Sequence, residues 1–367
     1  MPTNPTPRAL LFYTHALVGG GAERVWARLA SGFAARGDRV IFAVDFEANA
    51  ALPLLTKDVT LEVLPRGHGA ATLALAKLIR AQRPAASLSA ISVSNLKHAL
   101  AAHLAGRADR AILSYHGFFD SEPERLSRLG YRLTPLLARA TAATVAVSQA
   151  LRRDLIARLH APEARTTMIS NPAAPEPFPQ RVDAGALARR PPLIAAIGRL
   201  APDKDFVTLL RAFARLADPA ARLVILGEGP ERARLEGEIA ALGLGGRVAL
   251  PGFAASPGEV LAEARVFALS SRREAFSLVC VEALAHGLPV VATDCGGPGE
   301  ILNAAALGAI TPVGDVEAFA RALAERLADP GDPEPRQTRA LDFTLAAALD
   351  RYDRLIRATV RHARSRG

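Results

Sequence analysis

Two short segments of the sequence place charged side chains where they could bind an anion. In the first, IAAIGRLAPDKDF, a buried-strand pattern ends at Gly198, and Arg199 and Lys204 follow in the loop. Two cations five residues apart at the end of a strand suit a diphosphate, because each charged hydrogen bond contributes roughly 1.5–3 kcal/mol. The alternative interpretation of this loop is a solvated turn.

The Asp203-Lys204-Asp205 triplet of the same loop matches the Asp-x-Asp pattern that binds a divalent metal together with a nucleotide. We interpret it instead as a turn, with Asp203 capping the helix that follows. We therefore expect no metal site in this chain and no cofactor.

The second segment, SRREAFSLVCVEALAHGLPVV, carries two glutamates eight residues apart. Glu274 lies in the loop after the strand RVFALSS, and Glu282 lies within the helix that comes next. That helix begins near Phe276 or Ser277, and a helix start with free N–H groups is an anion site. The residues assigned to it are Phe276, Ser277, Leu278 and Val279. Glu282 is suited to accept two hydrogen bonds from a ribose diol; the alternatives are stabilisation of the helix dipole and a structural ion pair.

Glycines follow two further strands. Gly227 and Gly229 allow a tight turn in LVILGEGPERARLE, but the third glycine of the dinucleotide fingerprint is missing, so the signal is weak. Gly296, Gly297 and Gly299 follow the strand after the glutamate helix and permit close approach of the backbone to a ligand.

Short β-rich runs alternate with helical stretches along the whole chain. Examples are RALLFYTHA, GAERVWARLASGFAARG and DRVIFAVDF in the first half, and PLIAAIGRL, FVTLLRAFARLA and ARLVILGEG in the second. We interpret ALLFYTHAL as a first strand rather than a signal peptide. Alternating strands and helices predict parallel sheets covered on both faces, and the continuously apolar strands agree.

The segment SNPAAPEPFPQ has four prolines in eleven residues and separates two such sets of elements. We predict an α/β fold of two Rossmann-like, doubly wound domains that face each other across a cleft, because ligands of such sheets bind at the carboxyl ends of the strands. The predicted domains are residues 1–175 and 176–345, with 346–367 forming a terminal helix that packs back on the first domain.

The positive charge is concentrated in the first half of the chain. Residues 1–175 hold 21 Lys/Arg and 12 Asp/Glu, whereas residues 176–367 hold 24 of each. Such a bias suits nucleic acid, an anionic membrane or a phosphorylated substrate. Aromatic residues make up only 5% of the chain and no nucleic-acid recognition motif is present, so we expect no nucleic-acid partner.

Two helices of the first half combine cations with apolar residues. EPERLSRLGYRLTPLLAR aligns Arg125, Arg128, Arg132 and Arg139 beside a leucine stripe, with Pro135 starting, breaking or kinking the helix; LALAKLIRAQR aligns Lys77, Arg80 and Arg83. Docking on an anionic membrane is one interpretation, and an ordinary solvated face is the other. The two cysteines, Cys280 and Cys295, form no disulfide framework, which favours the cytoplasm.

The second half resembles the nucleotide-sugar-binding domain of the GT-B glycosyltransferases, specifically family 4, the retaining group 1 transferases. The matching stretches lie in order across residues 193–357: GRLAPDKDF, LVILGEGPERARLE, RVALPGF, SSRREAFSLVCVEALAHGLPVVATDCGGPGEIL, GAITPVGD and DFTLAAALDRYDRLI. In the first half, GGGAERVWARLASGFAARGDRV and SYHG resemble the acceptor domain of the family. Among its members, the chain is most similar to bacterial transferases of lipopolysaccharide, capsule and lipid-linked glycan assembly.

The resemblance implies a role for each site residue. Glu274 lies near the donor sugar and Glu282 holds the ribose, as the two ends of the E-x7-E element of the family. Arg199 and Lys204 neutralise the diphosphate. The remaining matches are Gly20 and Gly21, in a glycine loop that closes over the phosphates from the other domain, and His116, which contacts the transferred sugar. Ser277 stands where the family usually has glycine, and we expect its hydroxyl to cap the helix.

The implied function is retaining, metal-independent transfer of a sugar from a nucleotide diphosphate sugar to a glycan or lipid-linked acceptor. A UDP-sugar is favoured as donor and a GDP-sugar comes second. The expected location is the cytoplasm, peripheral on the inner face of the cytoplasmic membrane. The alternative is a catalytically inactive scaffold that binds nucleotide sugars, which the presence of Arg199, Lys204, Glu274 and Glu282 disfavours.

Overall fold

The structure, a computed structural model, describes residues 7–18, 20–46, 52–122, 124–253 and 257–365. The chain divides into two α/β units: Met1–Pro172 together with Leu345–Gly367, and Ala173–Thr344. The terminal segment is therefore part of the first unit.

The first unit is built on a seven-stranded parallel sheet with the strand order β3-β2-β1-β4-β5-β6-β7. Its elements are β1 (Ala9–Thr14), α1 (Gly21–Ala35), β2 (Arg39–Val44), β3 (Val59–Val63), α2 (His68–Gln82), β4 (Ala86–Ala90), α3 (Ser92–Leu104), β5 (Ala111–Tyr115), α4 (Arg125–Arg132), α5 (Thr134–Ala140), β6 (Ala143–Ala146), α6 (Gln149–Ala157) and β7 (Thr166–Met168), with the last helix of the chain, α15 (Leu345–Arg364).

The second unit is built on a six-stranded parallel sheet with the strand order β10-β9-β8-β11-β12-β13. Its elements are α7 (Ala184–Arg189), β8 (Leu193–Ile197), α8 (Phe206–Ala214), β9 (Arg222–Leu226), α9 (Arg232–Ala241), β10 (Val248–Gly252), α10 (Pro257–Glu263), β11 (Val266–Leu269), α11 (Leu278–Ala285), β12 (Val290–Thr293), α12 (Gly297–Ile301), β13 (Gly308–Thr311), α13 (Val316–Ala328) and α14 (Glu334–Leu341). The prediction of two doubly wound parallel sheets is confirmed.

Helix α15 packs on α1 within the first unit. Leu349 lies so close to Gly32 that a side chain at Gly32 would collide with it. Arg36 pairs with Asp350 at 2.7 Å, and the Tyr352 ring packs edge-on against that of Trp26, with centroids 6.1 Å apart. One face of the terminal helix is thereby buried, although 172 residues of sequence lie between Pro172 and Leu345.

Assigning α15 to the first unit changes the charge balance. The first unit holds 27 Lys/Arg and 14 Asp/Glu, a net charge of +13, whereas the second unit holds 18 and 22, a net charge of −4. The equal counts of residues 176–367 thus combine an anionic second unit with a cationic terminal helix that belongs to the first unit.

The basic leucine stripe is not one continuous helix. Leu133 ends α4 and precedes α5, and Pro135 lies in the first turn of α5. A proline is tolerated there because the first-turn N–H groups have no partner within the helix. Leu129 and Leu136 are exposed, at 44% and 64%.

Candidate active site

The two segments with candidate chemistry meet at one edge of the second sheet. Strand β8 pairs with β9 on one side and with β11 on the other, so the order of the strands reverses there. Connections that leave neighbouring strands in opposite directions open a crevice at the carboxyl ends of the strands. Arg199 follows β8 and Glu274 follows β11, so both loops border this crevice.

Lys204 and Glu274 form an ion pair across this edge, although 70 residues separate them in the sequence. Their side chains are only 20% and 19% exposed. Burial lowers the pKa of the Lys204 ammonium, but the charge of Glu274 and its hydrogen bond outweigh this effect and hold the pKa above its usual value. The lysine is therefore a fixed cation at neutral pH.

Further contacts hold the two loops together. The Ser270 hydroxyl donates to the backbone oxygen of Lys204 at 2.8 Å, and the Arg272 N–H donates to the backbone oxygen of Asp203 at 2.8 Å. Arg272 also pairs with Asp205 at 3.0 Å. The ammonium group thus lies on a braced loop, which lowers the reorganisation needed to bind an anion.

Asp203 does not cap α8, so that prediction was wrong. Asp203 lies in a short 3-10 turn, Pro202–Lys204, and Asp205 precedes the helix with a φ of 46°. The Asp205 carboxylate accepts a hydrogen bond from the Thr208 hydroxyl at 2.9 Å. The triplet lies in a turn, as expected, but the residue at the helix boundary is Asp205 rather than Asp203.

Arg199 is exposed, and the part of the chain that the structure describes offers it no ion pair. The glycines after β9 shape its loop. A Cβ atom at Gly227 would overlap the Gly198 carbonyl, and one at Gly229 would overlap the Leu200 carbonyl. These glycines therefore let the β9 loop pack against the β8 loop.

The loop that contains Glu274 is also joined to the glycines after β12. The Glu274 N–H donates to the Cys295 carbonyl at 2.9 Å, and its carbonyl accepts from the Gly297 N–H at 2.8 Å. A Cβ atom at Gly297 would overlap the Ala275 carbonyl. Gly297 thus supports the glutamate loop, a role that the sequence analysis had not assigned to it.

Helix α11 begins behind this loop with an uncapped N-terminus. Its N-cap residue is Ser277, whose φ of 81° lies in the region that favours glycine. The Ser277 hydroxyl accepts no hydrogen bond from the helix and lies next to the Cys280 thiol, so the predicted cap was wrong. The first turn carries no acidic residue, so its N–H groups remain donors for an anion.

One face of α11 stays accessible. Leu278, Val279 and Glu282 are half-buried on this face, whereas Phe276 in the preceding loop is buried and packs edge-on against Phe343, with ring centroids 5.5 Å apart. Glu282 lies one turn after Leu278, at the spacing that places two residues on the same helix face. Phe276 supports the start of the helix from behind.

The remaining predicted site residues lie in the first unit. Gly20 precedes α1, and its N–H donates to a carboxylate oxygen of Glu23 at 2.7 Å; Gly21 is the first residue of that helix. The helix start therefore already has an acceptor from its own chain. The preceding Gly19 lies outside the described residues.

His116 follows β5, at the carboxyl edge of the first sheet. Its Nε2 lies 3.0 Å from the Ser114 hydroxyl, and its ring packs edge-on against Trp26, with centroids 5.8 Å apart. Burial lowers the pKa of the His116 imidazole to about 4. The ring is therefore neutral at pH 7.

Two further observations bear on what the units bind. Within the described ranges, no three His, Cys, Asp or Glu side chains form a cluster suited to a metal ion. No helix in those ranges has the length and apolarity to cross a membrane.

The sequence analysis missed a cluster of histidine and lysine side chains around Asp45. The sequence signal for it was that Asp45 and His15 each follow a strand.

Two family models match the chain, one for each half. The model described as "Glycosyl transferases group 1" matches residues 180–340, and the model described as "Glycosyltransferase Family 4" matches residues 19–176. Each match lies almost entirely within one structural unit.

Curated relatives align with parts of the chain. The lipopolysaccharide core biosynthesis glycosyltransferase LpsE of Rhizobium meliloti is 38% identical over 138 residues, which cover 38% of this chain and 40% of LpsE. A GDP-mannose-dependent alpha-mannosyltransferase of Mycobacterium tuberculosis is 40% identical over 127 residues, or 34% of this chain and 32% of the relative. The aligned region thus spans less than half of the length of these relatives.

A solved structure matches nearly the whole chain. The crystal structure of HepE from Anabaena, in complex with UDP-glucose, has a TM-score of 0.81 at 20% identity and covers 96% of this chain and 100% of HepE. At this identity the match shows the fold. The two family models show that the chain belongs to the group 1, family 4 glycosyltransferases, and the structural match shows its GT-B fold.

Proposed function

We propose that the chain is a retaining glycosyltransferase that moves a sugar from a nucleotide diphosphate sugar to a glycan or lipid-linked acceptor in cell-surface polysaccharide or glycolipid assembly. The observation that carries this proposal is the Lys204–Glu274 pair, beside the unpaired Arg199 and the uncapped start of α11. The proposal also draws on the family of the chain and on LpsE, a lipopolysaccharide core transferase.

The bond that breaks joins the anomeric carbon of the sugar to a β-phosphate oxygen, and negative charge grows on that phosphate. Arg199, Lys204 and the free N–H groups of α11 are the donors that stabilise this charge. Removing one donor of this kind typically costs about 10²- to 10³-fold in rate. Two cations and a helix N-terminus supply the charge stabilisation that a metal provides elsewhere, so the proposed reaction is metal-independent.

The acceptor hydroxyl attacks the anomeric carbon from the face that the phosphate leaves, and its proton passes to the departing phosphate oxygen. The configuration is thereby retained. We favour this same-face substitution over a covalent intermediate because Glu274 is already engaged by Lys204. In this mechanism Glu274 positions the lysine and borders the sugar.

We propose a UDP-sugar as the first-choice donor and a GDP-sugar as the second. HepE, with the same fold, was crystallised with UDP-glucose, and the mycobacterial relative depends on GDP-mannose. Glu282, on the accessible face of α11, is assigned to the ribose diol, which both nucleotides share.

We also propose that the first unit docks on an anionic membrane surface. Its net charge is +13. Arg125, Arg128 and Arg132 are exposed on α4, and the exposed Leu129 and Leu136 lie among or after them. Cations beside exposed leucines suit a surface of anionic headgroups over acyl chains.

The test is a thermal-shift screen of the full chain against UDP- and GDP-sugars, followed by an assay of nucleoside diphosphate release. A donor that raises the melting temperature and is turned over supports the transferase. Stabilisation without any turnover, with candidate acceptors or with water, would favour the inactive scaffold. No stabilisation by any member of the panel would contradict both.

A further inference from the structure

A second candidate site lies in the first unit, and its lining includes neither His116 nor Gly20. A cavity of about 600 Å³ opens at the carboxyl ends of β1, β2 and β3. Its lining includes His15, Asp45, Phe46, Val63, Arg66 and His68. Small-molecule pockets typically have volumes of roughly 300–1,000 Å³, so the cavity has the size of a ligand site.

A buried ion pair forms one wall. Asp45 and Lys97 are 5% and 3% exposed and contact each other directly. Asp45 also accepts hydrogen bonds from the Tyr13 hydroxyl at 2.8 Å and from His15 Nδ1 at 2.7 Å. Burial alone raises the pKa of the Asp45 carboxyl, but its hydrogen bonds, from His15 foremost, outweigh burial and hold the pKa below its usual value. The carboxylate is thus neutralised and fixed.

These contacts indicate which ring nitrogen of His15 and of His68 donates and which accepts a hydrogen bond. His15 Nδ1 lies 2.7 Å from the Asp45 carboxylate and 3.2 Å from the Lys97 ammonium. The shorter contact is with a carboxylate, which can only accept, so Nδ1 donates to Asp45. His68 Nδ1 lies 3.4 Å from the Lys97 ammonium and must accept, since an ammonium only donates. The Nε2 of His15 is therefore an acceptor and the Nε2 of His68 is a donor. Neither Nε2 has a partner in the part of the chain that the structure describes.

The rim adds an unpaired cation and an apolar surface. Arg66 is exposed and has no hydrogen bond or ion pair with any described residue. The start of α2 at His68 has no side-chain cap and no acidic residue in its first turn. Phe46 and Val63 supply the apolar surface and are 37% and 50% exposed. Since Asp45 is neutralised by Lys97, Arg66 leaves the described lining with a net positive charge.

We propose that this cavity binds an anionic sugar unit of the acceptor, which deepens and rests on the proposed transferase function. The anion is a phosphate or a carboxylate held by Arg66 and by the Nε2–H of His68. The carbon face of the sugar ring packs on Phe46, and His15 Nε2 accepts a hydrogen bond from a sugar hydroxyl. Asp45 and Lys97 position both histidines.

The test is isothermal titration of the full chain with three probes: glucose 6-phosphate, glucuronate and methyl α-glucoside. At least one anionic probe should bind about tenfold or more tightly than the neutral glucoside, and whichever binds better identifies the anion as phosphate or carboxylate. Arg66→Gln should weaken binding of that probe by about 10- to 150-fold, the range of one charged hydrogen bond. Lys77→Gln is the matched control, because Lys77 is an exposed cation on the adjacent helix α2.

The variant Lys204→Ala shows whether a sugar phosphate binds instead at the donor site. That variant should leave binding of the anionic probe unchanged, whereas it should weaken binding of nucleoside diphosphates. Equal affinities for the three probes, no binding of any of them, or unchanged binding in Arg66→Gln would overturn the cavity proposal. The transferase proposal would fail separately if the chain bound the anionic probe through Arg66 but turned over no donor.

Discussion

Replacing Lys204 by alanine should damage both catalysis and stability, because the structure gives this lysine two partners. One is the phosphate of the donor, and the other is Glu274. Losing a donor to the developing charge should lower turnover by roughly 10²- to 10³-fold. Leaving the Glu274 carboxylate, 19% exposed, without its cation should cost about 1–3 kcal/mol of unfolding free energy.

Arg199→Ala is the matched control. Arg199 is exposed and has no ion pair among the described residues, so its loss should lower turnover by a similar factor and leave stability within about 0.5 kcal/mol of wild type. A cost of 1–3 kcal/mol corresponds to a fall in melting temperature of roughly 2–12 °C for a domain of this size. Only Lys204→Ala should show that fall.

The assay is release of nucleoside diphosphate at saturating donor, beside thermal melts of both variants. Turnover of Lys204→Ala within about threefold of wild type would refute the assignment of the diphosphate site. Equal melting temperatures for the two variants would show that the Lys204–Glu274 pair contributes nothing to stability, against the argument from burial.

Four further predictions follow from the structure. Turnover should persist in excess EDTA, because two cations and the start of α11 stabilise the leaving group. Changing Arg125, Arg128 and Arg132 together to Glu should weaken co-sedimentation of the full chain with anionic vesicles by about 10²-fold or more, at roughly 1 kcal/mol per cation. Ser277→Gly should raise the unfolding free energy by about 0–2 kcal/mol in denaturant titrations. The substitution relieves a strain of about 1–3 kcal/mol at a φ of 81°, and the entropy that glycine adds to the unfolded chain offsets part of this gain. Burial lowers the pKa of His98 to about 3 in the folded protein, so between that pH and about 6.5 this histidine binds a proton only when the protein is unfolded. As the pH falls from 6 to 4, the unfolding free energy of wild type should therefore decrease by about 1.4 kcal/mol per pH unit more than that of His98→Gln.

Each of these has a result that would contradict it. Complete loss of activity in EDTA that Mg²⁺ or Mn²⁺ restores would mean that the phosphate site is wrongly described. Equal sedimentation of wild type and triple variant would remove α4 from the membrane argument. Ser277→Ala, which keeps the Cβ atom, is the control for strain, and an equal gain in that variant would exclude strain as the cause. Parallel pH profiles of wild type and His98→Gln would show that the imidazole does not stay neutral.

The sequence by itself determined the fold class and the position of each candidate residue along its strand. Continuous apolar runs bounded by glycine and proline are sufficient to predict buried parallel strands, and the carboxyl ends of parallel strands lie at one edge. Arg199, Lys204 and Glu274 could therefore be placed at that edge without coordinates. Their chemical type then indicated a diphosphate.

Local pattern failed where burial depends on a partner elsewhere in the chain. The strand β4, ASLSA, has the composition of a loop, yet it is fully buried because Ser87 and Ser89 each hydrogen-bond to His98 at 2.8 Å. Neither the strand nor α3, which carries the histidine, was predicted. Buried polar groups that satisfy one another leave no hydrophobic period to detect.

Only the tertiary structure decided which side chains meet. The order of the strands placed β8 beside β11 and so joined Lys204 to Glu274, and it brought His15 to Asp45 across β1 and β2. Likewise, Ser277 has a positive φ that its residue type does not favour, in a loop whose Glu274 pairs with Gly296 after β12. A sequence specifies such contacts through the packing of the whole sheet, and they cannot be read from any one segment because each involves two strands and the connections between them.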